Sequence, residues 1–157
     1  MLDARLGGPG PLPRPLPVDL DELSSVLEGD PVQGGGRIDL STGDVWPQPA
    51  IEYEVEVGDE EEDDDRERWL WVTSAGSRDG YRDMERFIGS LDDPDASEQL
   101  DRALVGRGAF RRFKDQLARW PELSDQWYAF FEDRQRGRAR AWLAAEGYAP
   151  IARERRT

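Results

Sequence analysis

Eleven of the fifteen aromatic residues fall between Tyr81 and Tyr148, and the apolar residues around them recur at helical spacing. A chain that invests its largest side chains this way must build its main core from helices. Tyr81, Met84, Phe87, Ile88 and Leu91 share one face of a predicted helix over 78–91. Asp93-Pro94 supplies an N-cap and a first turn, Ala96, Leu100, Ala103 and Leu104 continue that helix, and Gly106 ends it. Phe110, Phe113 and Leu117 mark another helix over 108–119. Pro121 opens a last one that runs over 122–146, with Gly147 behind it. Phe110, Phe113, Leu117, Trp127, Phe130 and Trp142 are the expected core.

The first half reads differently. Asp19 with Glu22 three residues on forms a capping-box pattern; Leu20, Leu23, Val26 and Leu27 then share a helical face, and Gly29 stops it. Arg37–Leu40 and Val45-Trp46 flank Ser41-Thr42-Gly43-Asp44, which predicts a hairpin. Ile51, Tyr53, Val55 and Val57 alternate with Glu52, Glu54 and Glu56. That period of two predicts a half-buried strand over 51–57. Trp69–Thr73 is the next strand. The expected fold class is α+β: a small antiparallel sheet over 36–73 in the N-terminal half, packed on a helical C-terminal half of four helices. Residues 1–17, rich in proline and glycine, read as a disordered arm. Residues 18–150 form one domain with an acidic loop at 59–65, and 151–157 are a polar tail.

Composition removes many activities. The chain has 157 residues, about one domain. It has no cysteine and no histidine. Disulfides, thiolate nucleophiles, zinc–sulfur sites and every Ser-His or Cys-His arrangement are therefore excluded. No phosphate-binding glycine loop or nucleophile elbow is present. The start, Met1-Leu2-Asp3-Ala4-Arg5, lacks an apolar signal core, and no apolar run approaches a membrane span, so a cytoplasmic location is expected. The acidic run at 59–65 lacks the spacing of a calcium loop and reads as a solvated loop, or as a phosphate mimic over a basic patch. No cofactor or metal is expected.

Charge is divided unevenly. Residues 1–65 hold three bases and eighteen acids, a net of −15; the rest hold eighteen and sixteen, a net of +2, which gives the whole chain −13. Such a chain is repelled by anionic membrane and disfavours general nucleic-acid binding. Two basic tracts could still act at contact range.

The tract Gly106-Arg107-Gly108-Ala109-Phe110-Arg111-Arg112-Phe113-Lys114-Asp115 resembles the signature of a bacterial family known only as uncharacterised protein family 0158. The order of features around it is similar: an early acidic helix, the Thr42-Gly43 hairpin, an acidic insert before a strand, Tyr81 with Met84-Glu85 and Phe87-Ile88, Trp127-Tyr128 with Phe130, and Trp142 before Gly147. The resemblance covers 18–150. Leu143 stands after Trp142 where the family often has cysteine, and the proline-rich arm is an addition. The family has no assigned activity, so the resemblance implies a fold and singles out a patch without naming a function.

Within that patch, Gly106 and Gly108 flank Arg107 at a helix start, where free amides and the helix dipole suit an anion. On a helical wheel Arg107, Arg111 and Lys114 lie along one flank of the stripe made by Phe110, Phe113 and Leu117. The competing reading has the glycines making a turn while the cations pair with Asp101, Asp115 or the acidic half. In the second tract, Arg134-Gln135-Arg136-Gly137-Arg138-Ala139-Arg140, a continuous helix puts Arg134 and Arg138 inside the apolar arc. Each must then find a carboxylate or lie on tryptophan, because unpaired buried charge is costly; otherwise the helix breaks at Gly137, or the face there opens to a partner. Two functions follow. One is a non-enzymatic interaction module whose arginine-rich helical face meets an acidic protein or a nucleic-acid backbone. The other is a small enzyme or binding protein for a phosphorylated ligand at the Gly-Arg-Gly helix start. The residue inventory favours the first.

Overall fold

A computed structural model of the chain describes residues 12–56 and 66–152. The acidic loop expected at 59–65, the first eleven residues of the expected arm and positions 153–157 lie outside these. Helix α1 (Leu20–Leu27) starts where the sequence places it: the Asp19 carboxylate accepts from the amides of Asp21 and Glu22, satisfying two donors that a helix start leaves unpaired. Strands β2 (Gly36–Asp39) and β3 (Val45–Pro47) form the predicted hairpin, and β4 (Trp69–Val72) pairs antiparallel on the other side of β2. The sheet order is β3-β2-β4. Four helices complete the second half: α3 (Arg78–Gly89), α4 (Pro94–Ala103), α5 (Ala109–Leu117) and α6 (Pro121–Ala145). The fold class is α+β, as the periodicities predict.

Two expectations are corrected. Residues 51–56 are not a strand. They belong to helix α2 (Gln48–Glu56), with Pro49 in the first turn, where it costs no hydrogen bond; Val57 lies outside the described residues. Alternation misleads here because it does not mark a buried face: Ile51 is buried, but Tyr53 is 67% exposed. No vacant place remains beside β2 either, since β3 and β4 occupy both its sides.

The second correction concerns the arm. Arg14–Leu16 forms β1, parallel to β5 (Tyr148–Pro150). Leu16 is 2% exposed and provides the reason: it completes an apolar cluster with Val18, Leu23, Ile38, Val72, Ala139 and Leu143. Proline is tolerated in so small a ribbon because both strands are edges.

The core is divided. The first cluster lies between α1, the inner face of the three-stranded sheet and the second half of α6. The other joins Met84, Phe87, Ile88, Leu100, Leu104, Phe113, Leu117 and Trp127. Of the expected core, Phe113, Leu117 and Trp127 are fully buried. Phe110 and Phe130 are half-buried at the rim of the helical cluster, and Trp142 packs on the other one. Helix α6 spans both, giving Trp127 to one and Ala139 and Leu143 to the other.

Candidate functional site

Three of the four arginines of the second basic tract meet carboxylates of the protein itself. Helix α6 runs through Gly137 without a break, so Arg134 and Arg138 do face the neighbouring helices. Arg138 reaches Asp83 of α3 (Nη1 to Oδ2, 2.7 Å) and both oxygens of Glu28 after α1 (Nη2, 3.1 and 3.2 Å). Arg134 donates through Nε to the other Asp83 oxygen at 3.1 Å. The Asp83 side chain is 1% exposed and that of Arg138 23%. Burial pushes the Arg138 guanidinium down, but its bonds to Asp83 and the charges of Glu28 and Asp83 outweigh this and hold it above the usual value. Two cations meet two carboxylates, so the group is neutral, and it lies along α6 between the two apolar clusters. Arg136 forks onto Asp21 at 3.0 and 3.1 Å. Of the four arginines in the tract, Arg140 alone is exposed with no ion pair among the described residues.

The first tract behaves in the opposite way. Gly106 and Gly108 have φ of +86° and +75°, a region that side-chain-bearing residues rarely adopt. Together they turn the chain from α4 into α5. Arg112, which the sequence did not single out, fills this turn: its Nε donates to the Ala103 carbonyl at 3.1 Å, and its terminal nitrogens donate to the carbonyls of Val105 and Arg107. The glycines therefore make the turn, as the competing reading held, and an arginine caps the end of α4. Among the described residues, however, the cations pair with neither Asp101, Asp115 nor the acids of the first half. Arg107, Arg111 and Lys114 are exposed and have no ion pair among the described residues. Arg111 and Lys114 sit three residues apart on α5. Arg107 precedes it in the turn, so the wheel does not fix its direction, because Gly108 breaks the helical phase. Gly108 offers α5 no side-chain cap, and no acid lies in its first turn. Among the helix starts with an assigned cap, that of α5 alone has no acid in its first turn.

A polar cleft of about 720 Å³ lies on the other flank of α5, lined by Asp95, Glu98, Gln99, Arg102, Arg112 and Asp115 among others. Several of its groups pair with one another: Arg102 with Glu98 at 2.6 Å, and Gln99 with both Asp95 and Gln116. Arg107, Arg111 and Lys114 do not line it. Among the described residues no group of three carboxylates could hold a metal, and no helix is long and apolar enough to cross a membrane.

Sequence reasoning missed one surface. Register places Arg37 opposite both Trp46 and Trp71, and its guanidinium lies 3.7 Å from the Trp69 ring, with the other two indoles within 6 Å. Beside it Arg68 bonds Asp39 at 2.9 Å. Burial pushes the Asp39 carboxyl up, but the bonds from Arg68 and Ser41 together prevail and hold it below the usual range. The alternation in Trp69-Leu70-Trp71-Val72 was the available signal, since it puts both indoles on one face.

No solved structure matches the chain. A member of uncharacterised protein family 0158 from Pseudomonas aeruginosa is 30% identical over 147 residues, which covers 90% of each chain. The profile of that family matches residues 49–156, from within α2 onward. The chain belongs to uncharacterised protein family 0158, whose function is not assigned.

Proposed function

We propose that this protein is a non-catalytic interaction module and that its contact surface is the basic edge formed by Arg107, Arg111 and Lys114. The observation that carries this reading is that these three cations stand exposed and without carboxylate partners among the described residues. Other cations of the same chain have found partners: Arg134 and Arg138 on Asp83, Arg136 on Asp21. In a chain of net charge −13, three unmatched cations at an uncapped helix start form a local patch for an acidic surface. An acidic protein suits it better than nucleic acid, because a long polyanion also meets the repulsion of the whole chain.

The reading moves the expected contact surface. Arg134 and Arg138 no longer belong to it, since each already holds a carboxylate. The same open helix start also supports the second reading, a phosphorylated small ligand. Capture from nuclease-treated bacterial lysate separates the two. The acidic-partner reading expects a retained protein that is lost at high salt and lost with a combined Arg107→Glu, Arg111→Glu and Lys114→Glu variant. Release of that protein by millimolar inorganic phosphate alone would favour the ligand reading. Equal capture by wild type and variant would remove this surface from both.

A further inference from the structure

A second exposed surface lies at the edge of the three-stranded sheet. We propose that the outer edge of β4 accepts an extended, cationic segment of a partner protein by strand addition, with an arginine or lysine of that segment laid against Trp71. Among the described residues β4 is paired with β2 alone. The hydrogen-bond phase follows from the register. The Leu40 amide donates to the Arg68 carbonyl at 2.8 Å, in step with the pairs Ile38↔Leu70 and Gly36↔Val72. Residues 68, 70 and 72 therefore turn their amide and carbonyl groups toward β2, and Trp71 turns both of its own outward.

The other edge strands are blunted. Strands β1, β3 and β5 carry Pro15, Pro47 and Pro150, each lacking the donor that strand pairing needs. Strand β4, Trp-Leu-Trp-Val, has no proline and no charge. Its inner side chains, Leu70 and Val72, belong to the apolar cluster, while Trp71 is 60% exposed on the outer face.

Strand β2 shows what fits beside such a strand. It sets Ile38, fully buried, opposite Leu70, and Arg37 opposite Trp71 with its guanidinium 5.7 Å from that ring. A partner strand on the other side meets the same chemistry: an apolar residue on the inner face and a cation over an indole on the outer one. Charge selects between a foreign segment and a second copy. Two copies bring −13 against −13, whereas a basic segment is drawn to this chain.

The test uses the full chain and a blocked peptide, Thr-Arg-Val-Arg-Val-Thr, followed by tryptophan fluorescence and by amide hydrogen exchange at Trp71. The expected result is saturable binding that slows exchange of the Trp71 amide about tenfold or more, with binding about tenfold weaker when the arginines are glutamates, when the central valine is proline, or when the protein carries Trp71→Ala. The peptide controls need no change in the protein, so they hold whatever Trp71→Ala does to folding. An unchanged Trp71 exchange rate at the highest peptide concentration would overturn the proposal, as would equal binding of the glutamate peptide. A Trp71 amide protected without peptide, in a species of twice the 17.8 kDa mass, would assign the edge to a second copy instead.

Discussion

The tracts Gly106–Lys114 and Arg134–Arg140 each carry four cations, yet they end in opposite electrostatic states. In the second, Arg134, Arg136 and Arg138 all meet carboxylates, those of Asp83, Asp21 and Glu28. In the first, Arg112 turns back onto backbone carbonyls, and the remaining three are exposed with no ion pair among the described residues. The difference lies in what each helix packs against. Helix α6 lies on α1 and α3, whose facing sides supply acids. Helix α5 packs on α4 and α6, and among the described residues no carboxylate there pairs with Arg107, Arg111 or Lys114. Density of arginine along a chain therefore says little about binding; the neighbours of each guanidinium decide.

Perturbing each tract in turn sharpens this contrast. The largest effect is expected at the buried network. Arg138→Met leaves Asp83 and Glu28 short of a cation in a low-dielectric site and is expected to cost about 3 kcal/mol, measured as a lowered urea midpoint. A double-mutant cycle with Asp83→Asn is expected to show coupling well above the about 0.5 kcal/mol scatter of independent sites. Arg112→Ala comes next. It strips a guanidinium from three carbonyls at a partly solvated turn, for an expected loss of about 1–2 kcal/mol. If Arg112→Ala cost as much as Arg138→Met, the turn rather than the charged network would be the chief anchor of these helices. A smaller, pH-linked effect is expected at Asp39. Its carboxyl is held below the usual value, so its stabilising share is complete above the unfolded value near about pH 4 and fades as pH falls through the folded one. Asp39→Asn is expected to remove that acid-limb dependence while leaving the basic tracts untouched. The smallest effect is expected at Arg136, whose pair with Asp21 is exposed; Arg136→Ala is expected to leave the midpoint nearly unchanged even at low salt.

Much of the helical half is legible from spacing alone, because buried faces there coincide with the 3.6-residue period. Asp19 and Asp93 both act as the caps their positions imply. The constraint on Arg134 and Arg138 is legible too: charged groups on an apolar arc must find partners. Which partners is not, since Asp83 and Glu28 lie 55 and 110 residues away from Arg138, and only the fold brings them there. The alternation at 51–56 deceived because glutamate suits a helix as readily as an outer strand face. The strand at Arg14–Leu16 was hidden by the prolines in and beside it, which argue against a central strand but permit an edge. The cage around Arg37 depends on strand register, which a sequence leaves open. Arg112 escaped notice because its partners are backbone carbonyls, invisible to residue type.

The central claim is that one basic tract holds the fold and the other is free to bind. Urea unfolding of two variants side by side tests it most directly: Arg138→Met, and the combined Arg107→Ala, Arg111→Ala and Lys114→Ala. The account predicts a loss of about 3 kcal/mol for the first and an unchanged midpoint for the second. A stable Arg138→Met protein beside an unfolded triple variant would contradict it.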